Sequence, residues 1–280
     1  MSRRKILPRI PGMVRYALLT LAALFALAPL YWVVVTSLKR EASIVTFPPR
    51  LLPNPPSIEH YVGIFAETHM QQFYFNSIVL EICTILIVLF LSAHAGYAAA
   101  RFEFRGKNLV LFIMLATVMI PGIVTLIPLY VISVRLGLHN TYRVLILVYS
   151  AWQIPTAVWL LRAFFENIPV ELEEAAMIDG CSQWGAFYRV VLPLTQPGLA
   201  AAAIVVFVWV WNEFIIALNL TASDAVRPIT VGLFFFVGEN GILWGRMTAA
   251  ATVALLPVIV LFAALQKRFI AGLTAGALKG

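Results

Sequence analysis

The stretch EEAAMIDGCSQWGAFYRVVLPLTQP, residues 173–197, is a polar interruption between two long apolar runs. Pro169, just upstream, suits the first turn of a helix, where its missing N–H leaves no bond unmade. Glu171, Glu173 and Glu174 follow in the first turns, where the positive end of the helix dipole favours carboxylates. Ala175 and Ala176 are strong helix formers with little bulk. Gly180 fits a left-handed stop, and a second short helix over about Ser182–Val191 ends at Leu192–Pro193. The segment therefore reads as helix, glycine turn, helix. A linker resting on a membrane surface would carry Lys and Arg on its polar face. The loop from 162 to 197 instead carries five acidic and two basic residues. The alanine pair leaves a smooth strip, and Gly180 fixes the angle between the helices, so the reading is a docking element for a cytoplasmic partner.

Outward from this insert the chain is membrane-like. Only 12% of its 280 residues are charged and its mean hydropathy is +0.91, whereas soluble domains carry roughly 25% charge. Runs of about 18 apolar residues mark membrane helices, and six are expected, near 16–38, 73–100, 108–134, 144–161, 198–220 and 247–265. The fold class is therefore all-α: one polytopic membrane domain over 1–280, with a polar loop at 162–197 and a tail at 268–280. With the N-terminus inside, 13 of the 20 Lys and Arg fall on the inner side. The excess is strongest before the first span and between the second and third. Both termini are expected to be cytoplasmic by the positive-inside rule, which puts the insert inside, between spans four and five. The first apolar run is longer than a leader's core of about 7–15 residues, so it is expected to be a span. The net charge of +7 is scattered between apolar runs, which argues for membrane orientation over nucleic-acid binding.

Catalytic chemistry is not evident. The sequence has no phosphate-cradling G-x-x-x-x-G-K-[ST] loop, its four histidines lack ligand spacing, and two cysteines make no framework or metal site. No catalytic or metal-binding residue is assigned. Inside the fifth span, Asn212 and Glu213 lie roughly 22 Å from its inner end, where a charge faces a cavity or a partner. One reading places both on a translocation path. The other pairs Glu213 with a neighbouring subunit or the outer interface. Glu81 reads as an inter-helix hydrogen bonder, and His94 as a helix-packing one. Pro121, Gly122 and Pro128 should kink or break the third span. Gly238, Glu239, Asn240 and Gly241 read as a tight turn in an outside loop.

The insert also resembles a known family. Glu174, Ala175 and Ala176, three residues, Gly180, nine residues, then Val190, Leu192 and Pro193 is similar to the signature of permease subunits of binding-protein-dependent ABC importers, with Val190 at the usual isoleucine. PLYWVVVTSLK (29–39), WNEF (211–214), LWGRM (243–247) and GLTAGALKG (272–280) resemble the oligosaccharide, maltose-type branch. The resemblance implies a coupling helix, built from Glu173, Glu174, Ala175, Ala176, Asp179, Gly180, Leu192 and Pro193, that docks on a separate ATPase. It further implies an outside loop at 238–241 reaching a binding protein, and a tail at Gly272, Leu273 and Thr274 reaching the ATPases. The expected function is the permease of an ATP-driven sugar or oligosaccharide importer of a prokaryotic inner membrane. Its expected partners are a second, heterologous permease, two ATPase copies that hold Mg-ATP, and an extracytoplasmic sugar-binding protein. No cofactor is expected in this chain. The alternatives are the same machinery carrying a glycerol phosphodiester or polyol and, remotely, a stand-alone channel or secondary carrier.

Overall fold

The computed structural model describes residues 12–238 and 241–277, with side chains through 264. In chain order the helices are α1 (Gly12–Ser37), α2 (Glu59–Ala66), α3 (Met70–Arg101), α4 (Lys107–Val118), α5 (Gly122–Arg135), α6 (Tyr142–Glu166) and α7 (Glu171–Ile178). They continue with α8 (Gln183–Ala186), α9 (Leu192–Leu194), α10 (Gln196–Asn212), α11 (Ile215–Leu220) and α12 (Ile229–Phe234). A two-stranded hairpin, β1 (Val237–Gly238) and β2 (Gly241–Ile242), precedes the long α13 (Trp244–Ala277).

Each of the six apolar stretches falls on helix. Among the described residues, four helices are long and apolar enough to cross a bilayer: α1, α3, α6 and α13 over Trp244–Ala264. Six is reached if two bent pairs each count as one crossing. These are α4 with α5, bent by 97°, and the Gln183–Leu194 segment with α10, bent by 72°. The first break lies where Pro121 and Gly122 interrupt the pattern. Pro121 has extended backbone and the helix restarts at Gly122, because proline at that point cannot continue the preceding hydrogen-bond ladder. Pro128 is carried inside α5. The expected continuous span at 198–220 is corrected: α10 ends at Asn212 and α11 begins at Ile215.

The chain divides into two compact units, Met1–Thr68 with Phe236–Val253, and His69–Phe235 with Ala254–Gly280. In the first, α1 exposes apolar side chains nearly all round, from Met13 to Val34, as a helix solvated by lipid would. Beyond it, His60 on α2 is buried and donates from Nε2 to the Lys39 carbonyl at 2.8 Å. The start of α13 meets this histidine through Gly245, where an added Cβ would lie 2.2 Å from the imidazole. The next residue, Arg246, pairs with Glu67. The glycine and arginine of LWGRM are thus explained by the packing of α2.

In the second unit, α3 and α6 cross so closely that a Cβ at Gly96 would sit 3.1 Å from the backbone nitrogen of Arg162. Leu80, Val88, Leu145, Tyr149, Val206 and Ala217 are among the core side chains contributed by α3, α6, α10 and α11. Polar side chains stitch the ends. Asn76 donates to the carbonyls of Asp224 and Arg227 at 3.1 and 2.8 Å, and Ser77 accepts from Ile229 N at 2.8 Å, capping α12.

Candidate functional site

The insert keeps the form its residues dictate. α7 begins with three glutamates in its first turn and ends in a double closure. Cys181 N–H bonds to the Ala176 carbonyl at 3.0 Å and Gly180 N–H to that of Met177 at 3.1 Å, while Gly180 has φ +90°. Those two bonds satisfy carbonyls the helix end would otherwise orphan, and they require the left-handed residue that glycine supplies. Ser182 caps α8, accepting from Gly185 N at 3.2 Å. A π-helical turn, Phe187–Val191, then leads to Leu192 and Pro193 in α9.

What seats the insert was not visible in the sequence. Glu173 is buried and does not join Glu174, Ala175 and Asp179 on the exposed surface. Its Oε1 accepts from Arg101 Nε at 2.5 Å and its Oε2 from the Tyr97 hydroxyl at 2.7 Å, both from the end of α3. Arg101 also donates to the Ile168 carbonyl at 2.8 Å. From the second helix of the insert, Phe187 packs on Tyr97 with ring centroids 4.6 Å apart. The Tyr188 hydroxyl meets His94 Nε2 at 2.6 Å. His94 Nδ1 lies 2.6 Å from the Phe90 carbonyl and must donate there, so Nε2 accepts from Tyr188. His94 is thus a packing hydrogen bonder, as its small-residue surroundings suggest. With Glu173 and Phe187 turned inward, the outer face is left to Leu172, Glu174, Ala175, Met177, Ile178 and Trp184, of which Ile178 is 86% exposed.

The second feature is an open cavity of about 1180 Å³ where the two helix breaks meet. One wall is Val118–Ile123 at the α4–α5 break. The others carry Trp152, Gln153 and Thr156 of α6, Trp209 and Asn212 of α10, and Glu213 in the α10–α11 break. Gly122 lets the indole of Trp152 come close; a Cβ there would be 3.4 Å from its Cζ2. Glu213 has a specific task. Its Oε1 accepts from Ile216 N at 2.7 Å, and its Oε2 from Ala217 N at 3.0 Å and the Tyr149 hydroxyl at 2.8 Å. Its carbonyl accepts from Thr230 Oγ1 at 2.7 Å. The carboxylate therefore caps the N–H groups freed by the break, a role absent from both sequence readings. Asn212 donates to the Val208 carbonyl at 2.7 Å. Glu81 is buried on α3, and its carboxylate oxygens have no hydrogen-bond partner among the described residues, so the expected inter-helix bond is not made. The polar members of the cavity that sequence reasoning passed over are Gln153 and Thr156; for the first, a lone amide in the apolar run AWQIP was the available signal.

The outside turn is bracketed as its glycines suggest. Gly238 pairs with Gly241 across the antiparallel hairpin, and Gly241 has φ +124°. Glu239 and Asn240 lie outside the described residues. The backbone of Gly272, Leu273 and Thr274 continues α13 as helix, with side chains outside the described set.

Comparison with known proteins matches residues 92–274 to the family described as binding-protein-dependent transport system inner membrane component. A trehalose transport system permease protein of Mycobacterium tuberculosis is 38% identical, covering 93% of this chain and 95% of its own. A sulfoquinovosyl glycerol transport system permease protein of Agrobacterium fabrum is 37% identical, covering 91% and 89%. A trehalose/maltose transport system permease protein of Thermococcus litoralis is 34% identical over 99% of both chains. Among solved structures, a chain of a bacterial ABC transporter that imports the acidic polysaccharide alginate superposes with a TM-score of 0.80. It is 24% identical and covers 96% of this chain and 99% of that one, which shows the same fold.

Proposed function

Because the chain belongs to the family of binding-protein-dependent transport system inner membrane components, we propose that it is one permease of an ATP-driven importer for a sugar or oligosaccharide. The sugar class is supported by relatives whose names carry trehalose, maltose and diacetylchitobiose. The observation that carries the mechanism is the insert: an exposed apolar tip on a two-helix element whose root is locked to α3 by Glu173, Arg101 and Tyr97. A surface of that kind suits a cleft in another protein, and a locked root passes displacement on to the long helices.

In this reading the insert is cytoplasmic and is the coupling helix. Glu174, Ala175, Ala176, Asp179, Gly180, Leu192 and Pro193 form or shape the ATPase-facing surface, and Glu173 is its tether. The chain crosses a prokaryotic inner membrane six times with both termini inside. A second permease, two ATPase copies carrying Mg-ATP and an external sugar-binding protein complete the machine. Closure of the ATPases around Mg-ATP pushes the insert, and the bundle alternates between inward and outward openings. The hairpin at 237–242 faces the binding protein, the tail at 272–274 the ATPases, and Asn212 with Glu213 the path.

The test is partner capture. The tagged chain, extracted from native membranes in mild detergent, should bring down a second permease and an ATPase with phosphate-binding loops. Recovery of the chain alone or as a homodimer, even after gentle cross-linking, would refute the assembly.

A further inference from the structure

We propose that this chain itself holds a subsite for a neutral saccharide ring in the cavity between its two helix breaks, with Trp152, Gln153, Trp209 and Asn212 as the ligand-contacting side chains. The inference rests on the importer reading and goes beyond it by assigning the contacts and the charge class of the cargo.

Four observations carry it. The first is Gln153. It is 5% exposed, it lines the cavity, and among the described residues its amide makes no hydrogen bond. Buried amides are almost always partnered, so an amide left open toward a cavity marks a place for a polar ligand or for water that the ligand displaces. The second is the pattern of indole N–H groups. Trp159 and Trp211 line no part of this cavity, and each donates to a backbone carbonyl, of Leu111 at 3.3 Å and of Ala254 at 3.1 Å. Trp152 and Trp209 line it, stand with ring centroids 6.0 Å apart, and find no acceptor among the described residues. An indole usually satisfies its N–H when buried; Trp32, Trp184 and Trp244 are exposed, and of the four tryptophans that are not, the two with unspent donors among the described residues are the two at the cavity. The third is Asn212, whose Nδ2 is used by Val208, leaving Oδ1 as an acceptor at the rim. Glu213 is excluded from the contact set because its carboxylate is taken up by Ile216 N, Ala217 N and Tyr149.

The fourth observation sets the class. A pyranose has an apolar face, which lies on an aromatic ring, and a girdle of hydroxyls, which both donate and accept. Two tryptophans, an amide and an asparagine supply the complementary set. Recognition of phosphate, sulfonate or carboxylate calls for Arg or Lys, and among the described residues no Lys, Arg or His lines the cavity. A neutral saccharide fits this set and an acidic one does not.

The experiment uses the complex captured with the native chain, reconstituted in liposomes with its binding protein. Labelled maltose and trehalose are the neutral probes and an unsaturated diuronate is the acidic one. Sugar delivered per ATP hydrolysed is measured for the wild type and for Gln153→Leu, Trp209→Leu and Trp209→Phe. The wild type should deliver a neutral probe. Gln153→Leu should deliver about tenfold less per ATP, the equivalent of one lost hydrogen bond, and Trp209→Leu should lose more than that because it gives up the ring as well as the N–H, with ATP hydrolysis kept within about twofold in both. Trp209→Phe, which keeps a ring and loses only the N–H, should fall between and guards against a variant that fails to assemble. An unchanged ratio in the assembled variants overturns the subsite while leaving the importer reading intact. Delivery of the diuronate in place of the neutral probes overturns the class. A wild-type complex that carries no sugar overturns the importer reading and this inference with it.

Discussion

Glu173→Gln isolates the tether between the insert and α3. The Glu173 and Arg101 side chains are 7% and 9% exposed, with Nε and Oε1 2.5 Å apart. In the variant, the amide oxygen can still accept one of the two bonds that Arg101 and Tyr97 now donate. Its NH₂ group then faces the other donor, and where the oxygen serves Tyr97 the guanidinium keeps only the Ile168 carbonyl as a partner. Removing one member of a buried ion pair destabilises by about 3–5 kcal/mol, mostly because the other charge is stranded. At 1.4 kcal/mol per factor of ten, detachment of α7 should become roughly 10²–10³-fold more frequent. Hydrogen exchange of the amides from Glu171 to Ile178 reads this directly in the purified complex, since local opening controls protection. Arg101→Leu combined with Glu173→Leu should be milder than the sum of the single changes, because no charge is then left buried. Exchange within about threefold of wild type in Glu173→Gln, or additive costs in the double variant, would refute the tether. So would normal sugar uptake by a variant whose α7 exchanges freely, because transmission through that root would then be unnecessary.

Gly180→Ala meets no atom within 4 Å. Its cost is therefore the left-handed backbone alone, about 1–2 kcal/mol, and exchange should quicken at the α7 C-terminus and not at its root. Glu174→Lys changes an exposed residue and should leave thermal stability within about 0.5 kcal/mol while abolishing uptake; normal uptake would sink the docking role. Lys39 is 1% exposed, its Nζ lies 4.2 Å over the Trp32 ring, and it has no hydrogen-bond acceptor among the described residues. Burial holds its pKa below the ordinary 10.5. Below the folded-state value both folded and unfolded chains carry the proton, and the burial penalty is fully present. Between that value and 10.5 the folded chain is neutral while the unfolded one is still charged, so stability should rise with pH there. Melting curves of Lys39→Met across that window should show the rise abolished. Gly245→Ala drives a methyl into the His60 imidazole and should lower stability by about 1–3 kcal/mol, a loss that a second change, His60→Ala, should partly relieve in thermal denaturation.

The parts legible in the sequence are those governed by near neighbours. An apolar run writes a membrane helix because the backbone must satisfy its hydrogen bonds within the segment. Gly180 writes its left-handed turn because the closing bonds reach only to Ala176 and Met177. Pro121 with Gly122 writes a break for the same reason. The illegible parts are set by distant partners. Nothing near Glu173 distinguishes it from Glu174. Burial of one and exposure of the other follow from Arg101 and Tyr97, more than seventy residues earlier. Nothing near Gly245 requires a glycine; the requirement comes from His60, on a separate helix, which occupies the space a side chain would need.

Glu213 shows why the rule that a charge at depth marks a pathway needs the backbone before it can be applied. The energetic premise holds: a carboxylate within an apolar run requires compensation. The sequence offers only outside sources of compensation: a path, a neighbour or the outer interface. The structure supplies it from the chain's own main-chain amides, through a break that the carboxylate both occupies and stabilises. Glu213 thereby stays on the cavity wall while using its own hydrogen-bonding capacity internally. The same break exposes the asparagine beside it and shares the cavity with Gln153, which has no hydrogen-bond partner among the described residues. In the proposed subsite the charge builds the wall and the neutral amides are left to address the ligand, a division that follows from which polar atoms remain unspent.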